Sequence, residues 1–398
     1  MKKTLYFSRN GLMEPLGESQ VLPYLRNLSK EFKITLVTFE KKIDLDNSSK
    51  LNQAKRFCSS NNIDWIILRF SYRPKIIRPI IDIVQMIRIG LIQVKKGVVL
   101  IHCRSYIPSF AGLAIYCISN TPFIFDMRAL WPEELVSSHR ISKNSFIYKT
   151  LIYLEKLLLK YSAATISLTD AAAKYLINHN PNIALSSKMF VIPTCVDLDK
   201  FKPEISQIYE SKLKKVSCIG TVLSGWFKLE MLVECFVLIS KKFPSTVFEI
   251  VTKDDPQVIE TYFSEYDFDY SKLKILSTDP EDMPLKIRDH SISVMFFNPG
   301  IGKLGSSPTR LGEILACGKP VIANEGVGDV AKILKENNVG ILIDNENSLA
   351  ISDSINSISK LLEDDTLSLR CRKVAEDIFS LSDGSKKFKD IYEGILSS

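Results

Sequence analysis

The sequence predicts an α/β protein made of two doubly wound, Rossmann-like domains. Short apolar runs alternate with helical patterns along the chain, which is typical of βαβ units arranged around parallel sheets. The chain has 398 residues, 45% of them hydrophobic and 24% charged, so it is long enough for about two domain cores. A proline-bracketed polar segment at 193–203 has the composition of an interdomain connection.

Ten strands are predicted, five on each side of that connection. They are TLYFS, KITLVTF, WIILRF, VVLIHC and PFIFDM in the first half, and KVSCIG, TVFEIVT, LKILST, ISVMFF and PVIANE in the second. We assign 1–195 to an N-terminal Rossmann-like domain and 204–379 to a C-terminal one, and expect a last helix at about 380–398 to pack back on the first. Ligands of doubly wound sheets bind beyond the carboxyl ends of the strands, so the two domains are expected to face each other across a cleft lined by those loops.

The basic residues are concentrated in the first half of the chain. Residues 1–200 contain 28 Lys and Arg against 15 Asp and Glu, a net charge of +13, whereas the remainder carries −6. The excess is densest at 69–97, where the cations interleave with Ile, Leu and Val: Arg69, Arg73, Lys75, Arg78, Arg88, Lys95 and Lys96. Such a segment favours contact with an anionic membrane surface, and an ordinary packing helix with a solvated basic face is the alternative. Nucleic acid is not expected as a partner, because aromatic interleaving is missing.

The composition favours a reduced, cytoplasmic protein. Its eight cysteines are scattered through apolar segments, with no CxxC pair and no metal-ligand spacing to histidine. The start MKKTLYFSRNG has no apolar run of signal-peptide length, and no segment reaches about 18 uninterrupted apolar residues. We therefore expect a cytoplasmic location, with peripheral contact at the inner face of the cell membrane.

Polar residues in two loops of the N-terminal domain, one after the strand TLYFS and one after VVLIHC, are candidates for a ligand site. In the loop at 11–25, Gly17 would let the backbone approach a ligand closely and Glu18 precedes a helical pattern, although glycines at such turns also serve backbone conformation alone. His102 and Arg104 end the strand VVLIHC. A single histidine in this setting is also common as a satisfied structural group.

A third candidate loop follows the strand PFIFDM and is rich in charged residues. Asp126 and Arg128 form either an internal salt bridge or a pair that holds substrate hydroxyls. Glu133 and Glu134 follow a few residues later. Trp131, which precedes them, either stacks its ring on a sugar or belongs to the domain's packing.

The segment SSPTRLGEILACGKPVIA at 306–323 is the most informative. Pro308 and its hydroxyl neighbours suit the start of a helix, whose unpaired N–H groups and positive dipole end attract phosphate. Arg310 adds a cation with the fork geometry that fits phosphate oxygens. Glu313, almost one turn deeper, can accept two ribose hydroxyls. Phosphate followed by ribose is the order of groups in a nucleoside diphosphate. The alternative is that the segment is an ordinary capped helix in which Glu313 complements the helix dipole.

Six segments resemble, in order, those of the group 1 (family 4) GT-B glycosyltransferases, and the resemblance runs from about residue 4 to 395. They are EPLGESQVLPYLRNLS, VLIHCRSYIP, FIFDMRALWPEEL, VIPTCVDLDKFKP, SCIGTVLSGWF and SSPTRLGEILACGKPVIA. Within that family the chain is similar to the bacterial branch of surface polysaccharide and glycan assembly. The resemblance implies a GT-B fold and a retaining transfer from a nucleotide-sugar co-substrate, with no metal and no other cofactor. It also implies that the N-terminal domain, 1–195, is on the acceptor side and that the C-terminal domain, 204–379, binds the nucleotide sugar.

The resemblance also implies roles for single residues. Glu313 is similar to the second glutamate of the family's Glu-x7-Glu motif, the one expected on the ribose. The first glutamate would fall at residue 305, where this chain has Gly305, so Ser306 and Ser307 are the candidates for contact with the donor sugar.

A second departure concerns the diphosphate. Many relatives carry Arg and Lys after the glycine that opens the second domain, to clamp the phosphates. Here Gly220 is followed by Thr221 at the arginine position, and Lys228 does not match the usual spacing. Arg310 is therefore our candidate for the missing cation.

The predicted function is a retaining glycosyltransferase that moves a sugar to a glycan or lipid-linked acceptor. Two alternatives remain open: a nucleotide-sugar epimerase, which needs paired acids such as Asp126 with Glu133 or Glu134, and a non-catalytic sugar-binding protein. The catalytic candidates are Asp126, Arg128 and Arg310. The donor-binding candidates are Gly17, Gly220, Thr221, Ser306, Ser307, Thr309, Arg310 and Glu313, and the candidates for acceptor or sugar contacts are Glu18, His102, Arg104 and Glu133.

Overall fold

The computed structural model describes residues 1–74, 77–204, 213–343 and 348–397. They form two compact units, the first comprising Met1–Pro193 with Leu381–Ser398 and the second comprising Thr194–Ser380. Lys75, one of the cations of the basic segment, lies outside the described residues. No helix in the described ranges is long and apolar enough to cross a membrane.

Seven parallel strands form the sheet of the first unit. They are β1 (Lys2–Ser8), β2 (Phe32–Glu40), β3 (Ile63–Arg69), β4 (Val98–Arg104), β5 (Phe123–Asp126), β6 (Ala164–Ser167) and β7 (Met189–Val191). Their order is β3-β2-β1-β4-β5-β6-β7, so the chain winds outward from β1 in both directions. β4, β5 and β6 are almost entirely buried, as expected for parallel strands covered by helices on both faces.

Nine α-helices in the described part of the first unit connect these strands. They are α1 (Pro15–Gln20), α2 (Leu22–Leu28), α3 (Lys42–Asp46), α4 (Ser48–Ser60), α5 (Ile77–Lys95), α6 (Tyr106–Ser119), α7 (Trp131–Ser137), α8 (Phe146–Tyr161) and α9 (Asp170–His179). Asn47, Ser145 and Thr169 cap α4, α8 and α9, because each side-chain oxygen accepts a backbone N–H of the first turn. α5 packs on α6 and α6 packs on α8, so these three helices form one layer on the sheet.

The second unit repeats the doubly wound plan with six parallel strands. The strands are β8 (Lys215–Ile219), β9 (Val247–Val251), β10 (Leu273–Leu276), β11 (Ile292–Met295), β12 (Val321–Asn324) and β13 (Gly340–Ile343), in the order β10-β9-β8-β11-β12-β13. The helices are α10 (Leu229–Lys242), α11 (Pro256–Phe263), α12 (Met283–Arg288), α13 (Thr309–Ala316), α14 (Val330–Asn337), α15 (Ser348–Asn356), α16 (Ile358–Leu362) and α17 (Leu367–Phe379).

The last helix, α18 (Leu381–Ser397), belongs to the first unit, where it packs on α2 and β4. Its apolar face brings Phe388 against Tyr24, with ring centroids 5.1 Å apart, and Tyr392 against Phe32. Asn27 donates to the Ser385 hydroxyl at 3.0 Å and fixes the helix laterally.

All ten predicted strands are confirmed, but the sheets contain three more. β6, β7 and β13 are only three or four residues long, and each lies toward the outside of its sheet. Strands this short give little periodicity of their own, and the equally short β5, β10, β11 and β12 are predicted from longer apolar runs such as PFIFDM and ISVMFF. β7 ends two residues before the segment 193–203 that we interpret as the interdomain connection.

Candidate functional site

A buried polar cluster lies at the carboxyl ends of β4 and β5 in the first unit. Register pairs Arg104 with Asp126 on these neighbouring strands, and Arg128 follows two residues after Asp126. We call this group the Asp126 cluster, and its members are Gln20, His102, Arg104, Asp126 and Arg128. All four of the ionisable members are among the sequence candidates, and the structure brings them together.

His102 bridges the cluster to the C-terminal helix. Its Nε2 lies 3.3 Å from Asp126 Oδ2, and its Nδ1 lies 2.9 Å from the Tyr392 hydroxyl. The Tyr6 ring stacks on the imidazole at a centroid distance of 4.4 Å. Burial lowers the pKa of His102, so the neutral ring donates from Nε2 to Asp126 and accepts from Tyr392 at Nδ1.

The charge of Asp126 is compensated by two arginines and a histidine hydrogen bond. Burial alone would raise its pKa, but the Arg128 guanidinium, the His102 hydrogen bond and Arg104 together hold the pKa below its usual value. Arg128 Nη1 lies 3.5 Å from Asp126 Oδ1. Arg128 has a φ of 61°, a conformation that costs free energy in a residue with a side chain, so the surrounding packing must hold it there.

Gln20 is the member that the sequence does not reveal. Its side-chain oxygen accepts from Arg104 Nη2 at 2.9 Å and from Arg128 Nη2 at 3.0 Å, so it holds two like charges together. Its neighbour Glu18, a sequence candidate, is instead exposed and lies 3.8 Å from Lys50. Only the fold places the end of α1 beside β4 and β5.

The candidate glycine Gly17 serves the packing of the first loop. A Cβ at this position would come within 2.3 Å of the Gly11 carbonyl oxygen and 2.4 Å of that of Leu12. Glu40 holds the loop in place, because its carboxylate accepts the N–H groups of Leu12 at 2.6 Å and Met13 at 3.3 Å. Any larger residue at 17 would therefore displace the loop.

Glu133 belongs to a separate network. It is 3% exposed, accepts the Tyr148 hydroxyl at 2.5 Å and forms an ion pair with Lys143 at 3.4 Å. Trp131 packs its ring against Tyr106, 5.4 Å between centroids. Among the described contacts, Glu133 and Asp126 thus each have their own partners and do not form a paired-acid site.

In the second unit, the segment 306–316 forms the predicted loop and helix. α13 begins at Thr309 with Pro308 as its N-cap, and the Pro308 side chain has no oxygen that could accept the N–H groups of the first turn. Arg310 and Glu313 form an ion pair between Arg310 Nη1 and Glu313 Oε2, one turn apart. Glu313 is 8% exposed, whereas the Arg310 side chain is 36% exposed.

The Glu313 carboxylate is only partly compensated. Burial raises its pKa, although Arg310 opposes this directly and Lys200 opposes it from further away. Arg310 engages one carboxylate oxygen, which leaves Oε1 without a hydrogen bond from that arginine. The geometry therefore suits a carboxylate that takes a further donor from a ligand.

Ser307 is tied to the segment that opens the second unit. Its hydroxyl oxygen accepts the Thr194 N–H at 3.2 Å, and its carbonyl accepts the Thr194 hydroxyl at 2.9 Å. Ser306 donates its N–H to the Lys303 carbonyl at 3.0 Å. These bonds hold the loop before α13 in one conformation.

The loop after β8 is held by groups that the sequence analysis missed. Gly220 has a φ of 130°, which explains the glycine, and Thr221 is exposed. Asp254 Oδ2 accepts the N–H groups of Val222 at 2.6 Å and Leu223 at 3.0 Å. An acid after a neighbouring strand thus shapes the loop where the resemblance leads one to look for an arginine.

Lys303 is a further missed residue. Its Nζ lies 4.0 Å from the centroid of the Trp226 ring, and its carbonyl accepts the Gly328 N–H at 2.9 Å. Asn298 joins the same two loops, since its side chain donates to the Gly225 carbonyl at 2.8 Å. A cation is therefore present beside the loop after β8, supplied by the loop before α13. In the described ranges no group of three or more His, Cys, Asp or Glu could hold a metal ion.

Two doubly wound units, with a helix N-terminus and a buried acid in the second, define the GT-B class. Two family models match the chain: glycosyltransferase family 4 at residues 18–200 and glycosyl transferases group 1 at residues 225–377. The chain therefore belongs to the group 1 (family 4) glycosyltransferases. A search of curated proteins finds no significant match.

Solved structures agree on the fold. The Anabaena protein HepE in complex with UDP and glucose is 14% identical, covers 99% of this chain and 100% of its own, and has a TM-score of 0.70. A glycosyltransferase from Rickettsia africae is 16% identical, covers 99% of this chain and 98% of its own, and has a TM-score of 0.71. A protein described as a UDP-N-acetylglucosamine 2-epimerase, from Listeria monocytogenes, is 11% identical, covers 100% of this chain and 97% of its own, and has a TM-score of 0.63.

Proposed function

We propose that the protein is a retaining glycosyltransferase that uses a nucleotide sugar and acts in bacterial surface polysaccharide or glycoconjugate synthesis. The observation that carries this proposal is the buried Glu313, paired with Arg310 alone among the described ion pairs and lying one turn inside a helix whose N-cap residue, Pro308, provides no side-chain cap. The ribose hydroxyls would donate to Glu313, and the diphosphate would accept from the N–H groups of α13 and from Arg310. Ser306, Ser307 and Thr309 supply hydroxyls on the same loop and helix start.

Lys303 strengthens the proposed phosphate site. It lies beside the Trp226 ring, next to the loop in which Thr221 stands where many relatives have arginine. We infer that its ammonium group takes part of the diphosphate charge that a cation at 221 would otherwise take. Gly220 gives the adjoining loop its left-handed conformation.

The transfer itself needs no covalent carboxylate. The bond between the anomeric carbon and the diphosphate oxygen breaks, and its electron pair leaves with the diphosphate. The acceptor oxygen bonds to the anomeric carbon on the same face, and its proton passes to the departing phosphate oxygen. Arg310 and the α13 N–H groups stabilise the charge that grows on the leaving group, so the reaction proceeds without a metal or other cofactor.

On the acceptor side, we propose a glycan or lipid-linked acceptor positioned by the first unit, with the protein in the cytoplasm and peripheral at the membrane. Arg104 and Arg128 each have a buried Nε with no hydrogen-bond partner among the described residues. Such donors favour a polar ligand nearby. Asp126 and His102 would act by positioning these arginines, and Glu18 and Glu133 remain proposed contacts.

An epimerase on the same architecture is less well supported. It would need two acids that act on one sugar, but Glu133 bonds to Tyr148 and Lys143, whereas Asp126 bonds to His102 and Arg128. The epimerase neighbour also has a lower TM-score, 0.63, than the glycosyltransferase from Rickettsia africae, 0.71.

The first experiment is a thermal-shift panel of UDP-, GDP-, dTDP- and CMP-sugars on the purified chain. UDP-sugars come first because the HepE structure contains UDP and glucose. A selective ligand raises the melting temperature because it binds the folded state. The same donor, incubated with an acceptor extract and with EDTA, should give a product whose anomeric configuration by NMR matches the donor. Conversion of the donor to its epimer with no transfer would overturn the proposal in favour of the epimerase.

A further inference from the structure

The outer face of the α5–α6–α8 layer exposes an unusual number of large apolar side chains. Phe146 is 84% exposed and Tyr153 62% exposed on α8, and Ile118 on α6 is 65% exposed. These three helices contribute ten of the 25 exposed large hydrophobic residues in the described parts of the chain. Such a density is typical of an interaction surface rather than of scattered surface residues. The ten are Ile77, Ile80, Ile81, Val84, Ile92, Ile118, Phe146, Ile147, Tyr153 and Tyr161.

The charges of this face have one sign. The only acids on the three helices are Asp82 and Glu155, and both are buried. The exposed ionisable residues are all cations: Arg88, Lys95, Lys149, Lys156 and Lys160. A surface that combines exposed aromatic and aliphatic groups with cations alone complements an anionic surface that has an apolar interior.

The structure also shows which cations of the basic segment do not contribute. Arg78 Nε lies 2.8 Å from the buried Asp82 carboxylate, and Arg78 Nη2 donates to the Arg69 carbonyl at 2.9 Å. Arg9 pairs with the same carboxylate at 2.9 Å. Arg78 is therefore part of the domain's packing, and reversing its charge would disturb the fold as well as any surface contact.

The apolar residues are densest at one end of the layer. α5 follows the carboxyl end of β3, and Ile77, Ile80 and Val84 lie in its first two to three turns. Phe146 and Ile147 begin α8. In a parallel α/β unit these helix starts lie at the carboxyl edge of the sheet, which is also the edge of the Asp126 cluster.

We propose that the outer face of α5, α6 and α8 docks the first unit on an anionic lipid bilayer, with Phe146 and Ile147 entering the interfacial region and the lysines contacting headgroups. The docking proposal rests on the proposed function, because a protein held at the bilayer surface can reach a lipid-linked acceptor. Tyr153 and Tyr161 have the amphipathic character that suits the membrane–water interface. A second copy of the chain fits less well, since two all-cationic faces would repel each other.

The test is sedimentation of the full chain with vesicles of phosphatidylcholine alone or mixed with phosphatidylglycerol, at low and high salt. One variant combines Lys149→Glu, Lys156→Glu and Lys160→Glu, and another combines Phe146→Ser and Ile147→Ser. The matched control combines Lys30→Glu, Lys55→Glu and Arg56→Glu. These three exposed cations lie on the α2–β2 turn and on α4, elements that connect strands on the other side of β1.

We expect the wild type to prefer anionic vesicles and to lose binding as salt rises. The lysine variant should lower the vesicle partition coefficient by about 100-fold, the Phe146 and Ile147 variant by about tenfold, and the control by less than about threefold. Equal binding to neutral vesicles, or an equal loss in the control, would overturn the proposal. So would a wild-type dimer in sedimentation equilibrium that the α8 variants convert to monomers without any vesicle binding.

The same preparations separate this proposal from the proposed function. Thermal unfolding checks that each variant is folded, and the thermal-shift panel measures donor binding without vesicles. Docking variants should keep donor binding. A chain that binds anionic vesicles but no nucleotide sugar would overturn the proposed function and leave the docking surface standing.

Discussion

Two buried carboxylates, one in each unit, differ in how completely their charge is compensated. Asp126 is 1% exposed and has His102, Arg104 and Arg128 around it, and its pKa lies below the usual value. Glu313 is 8% exposed and has Arg310 as its only direct ionic partner among the described residues, and its pKa is raised. The first carboxylate is therefore balanced by two neighbouring arginines, whereas the second has a direct ion pair with one arginine.

The difference indicates separate roles. The charge of Asp126 is balanced by two arginines, although its Oδ1 accepts no hydrogen bond among the described residues. An acid balanced in this way loses little when no ligand is present, so Asp126 suits the positioning of its neighbouring arginines. An acid left short of donors costs free energy until a ligand supplies them, so Glu313 suits recognition of hydroxyl groups.

The largest effect is expected for Asp126→Asn. The substitution leaves Arg128 and Arg104 buried without their counter-charge, and breaking a buried pair costs about 3–5 kcal/mol. We expect a decrease of that size in the free energy of unfolding, measured by urea titration. Turnover should fall much more than donor affinity if the arginines position the acceptor.

A surface pair provides the control. Asp64 lies 3.7 Å from Lys33, and both side chains are more than half exposed, at 62% and 53%. Asp64→Asn should change the free energy of unfolding by less than about 1 kcal/mol. If Asp126→Asn cost no more than this control, the Asp126 cluster would not be a structural ion-pair group, and normal turnover per folded molecule would reject its catalytic role.

Glu155 extends the comparison to an acid for which the described residues show no ion pair, although Lys156 lies near enough to favour its charged form slightly. It is buried, accepts the Tyr106 hydroxyl at 2.5 Å, and has its pKa raised by burial to about 7. Its folded state therefore holds a proton that the unfolded state releases above about pH 4.5, and stability is lost as pH rises from there through 7. Glu155→Gln should raise the free energy of unfolding by up to about 3 kcal/mol at pH 8 and by little at pH 4.

Urea titrations at the two pH values measure this difference. Glu155→Gln keeps an oxygen for the Tyr106 hydroxyl, so only the charge changes. A pH-independent effect of the substitution would show that burial of the charge is not the cause.

Lys303→Ala tests the cation that the sequence analysis missed. Loss of one charge-assisted phosphate contact should weaken donor binding about tenfold, measured by calorimetry. Lys253→Ala is the matched control, because Lys253 is exposed and follows β9 in the same unit. Equal donor affinity in both variants would remove Lys303 from the phosphate site.

The smallest expected effect is the pH dependence of donor affinity. The ionised Glu313 accepts ribose hydroxyls more strongly than the protonated acid does, so affinity should fall roughly two- to fivefold as pH drops through its raised pKa. In Glu313→Gln the profile should be flat over that range. A wild-type profile that matches the Gln variant would show that the Glu313 charge does not contribute.

The sequence predicts the parts of each site that are local. Pro308, Arg310 and Glu313 lie within one helical turn and a half, so their spacing alone brings them together. The ends of adjacent parallel strands likewise make His102, Arg104 and Asp126 neighbours once the strands are recognised. Contacts across long separations cannot be found this way: Gln20 reaches Arg128, and Tyr392 reaches His102, only after the sheet and α18 are in place.

The same reason explains the missed loop residues in the second unit. Asp254 and Lys303 have no local pattern that distinguishes them from other surface charges. Their roles depend on β9 and β11 both lying beside β8, which brings the loops that follow these strands close together.

Calorimetric titration with the nucleotide sugar selected by the thermal-shift panel tests the contrast between the two carboxylates most directly. Wild type, Glu313→Ala and Asp126→Asn are compared at equal concentrations of folded protein. We predict that Glu313→Ala weakens donor affinity roughly 10- to 150-fold, because a charge-assisted contact of about 1.5 to 3 kcal/mol is lost, while Asp126→Asn leaves it unchanged. Unchanged affinity in Glu313→Ala, or an equal loss in Asp126→Asn, would contradict the assignment of donor recognition to Glu313.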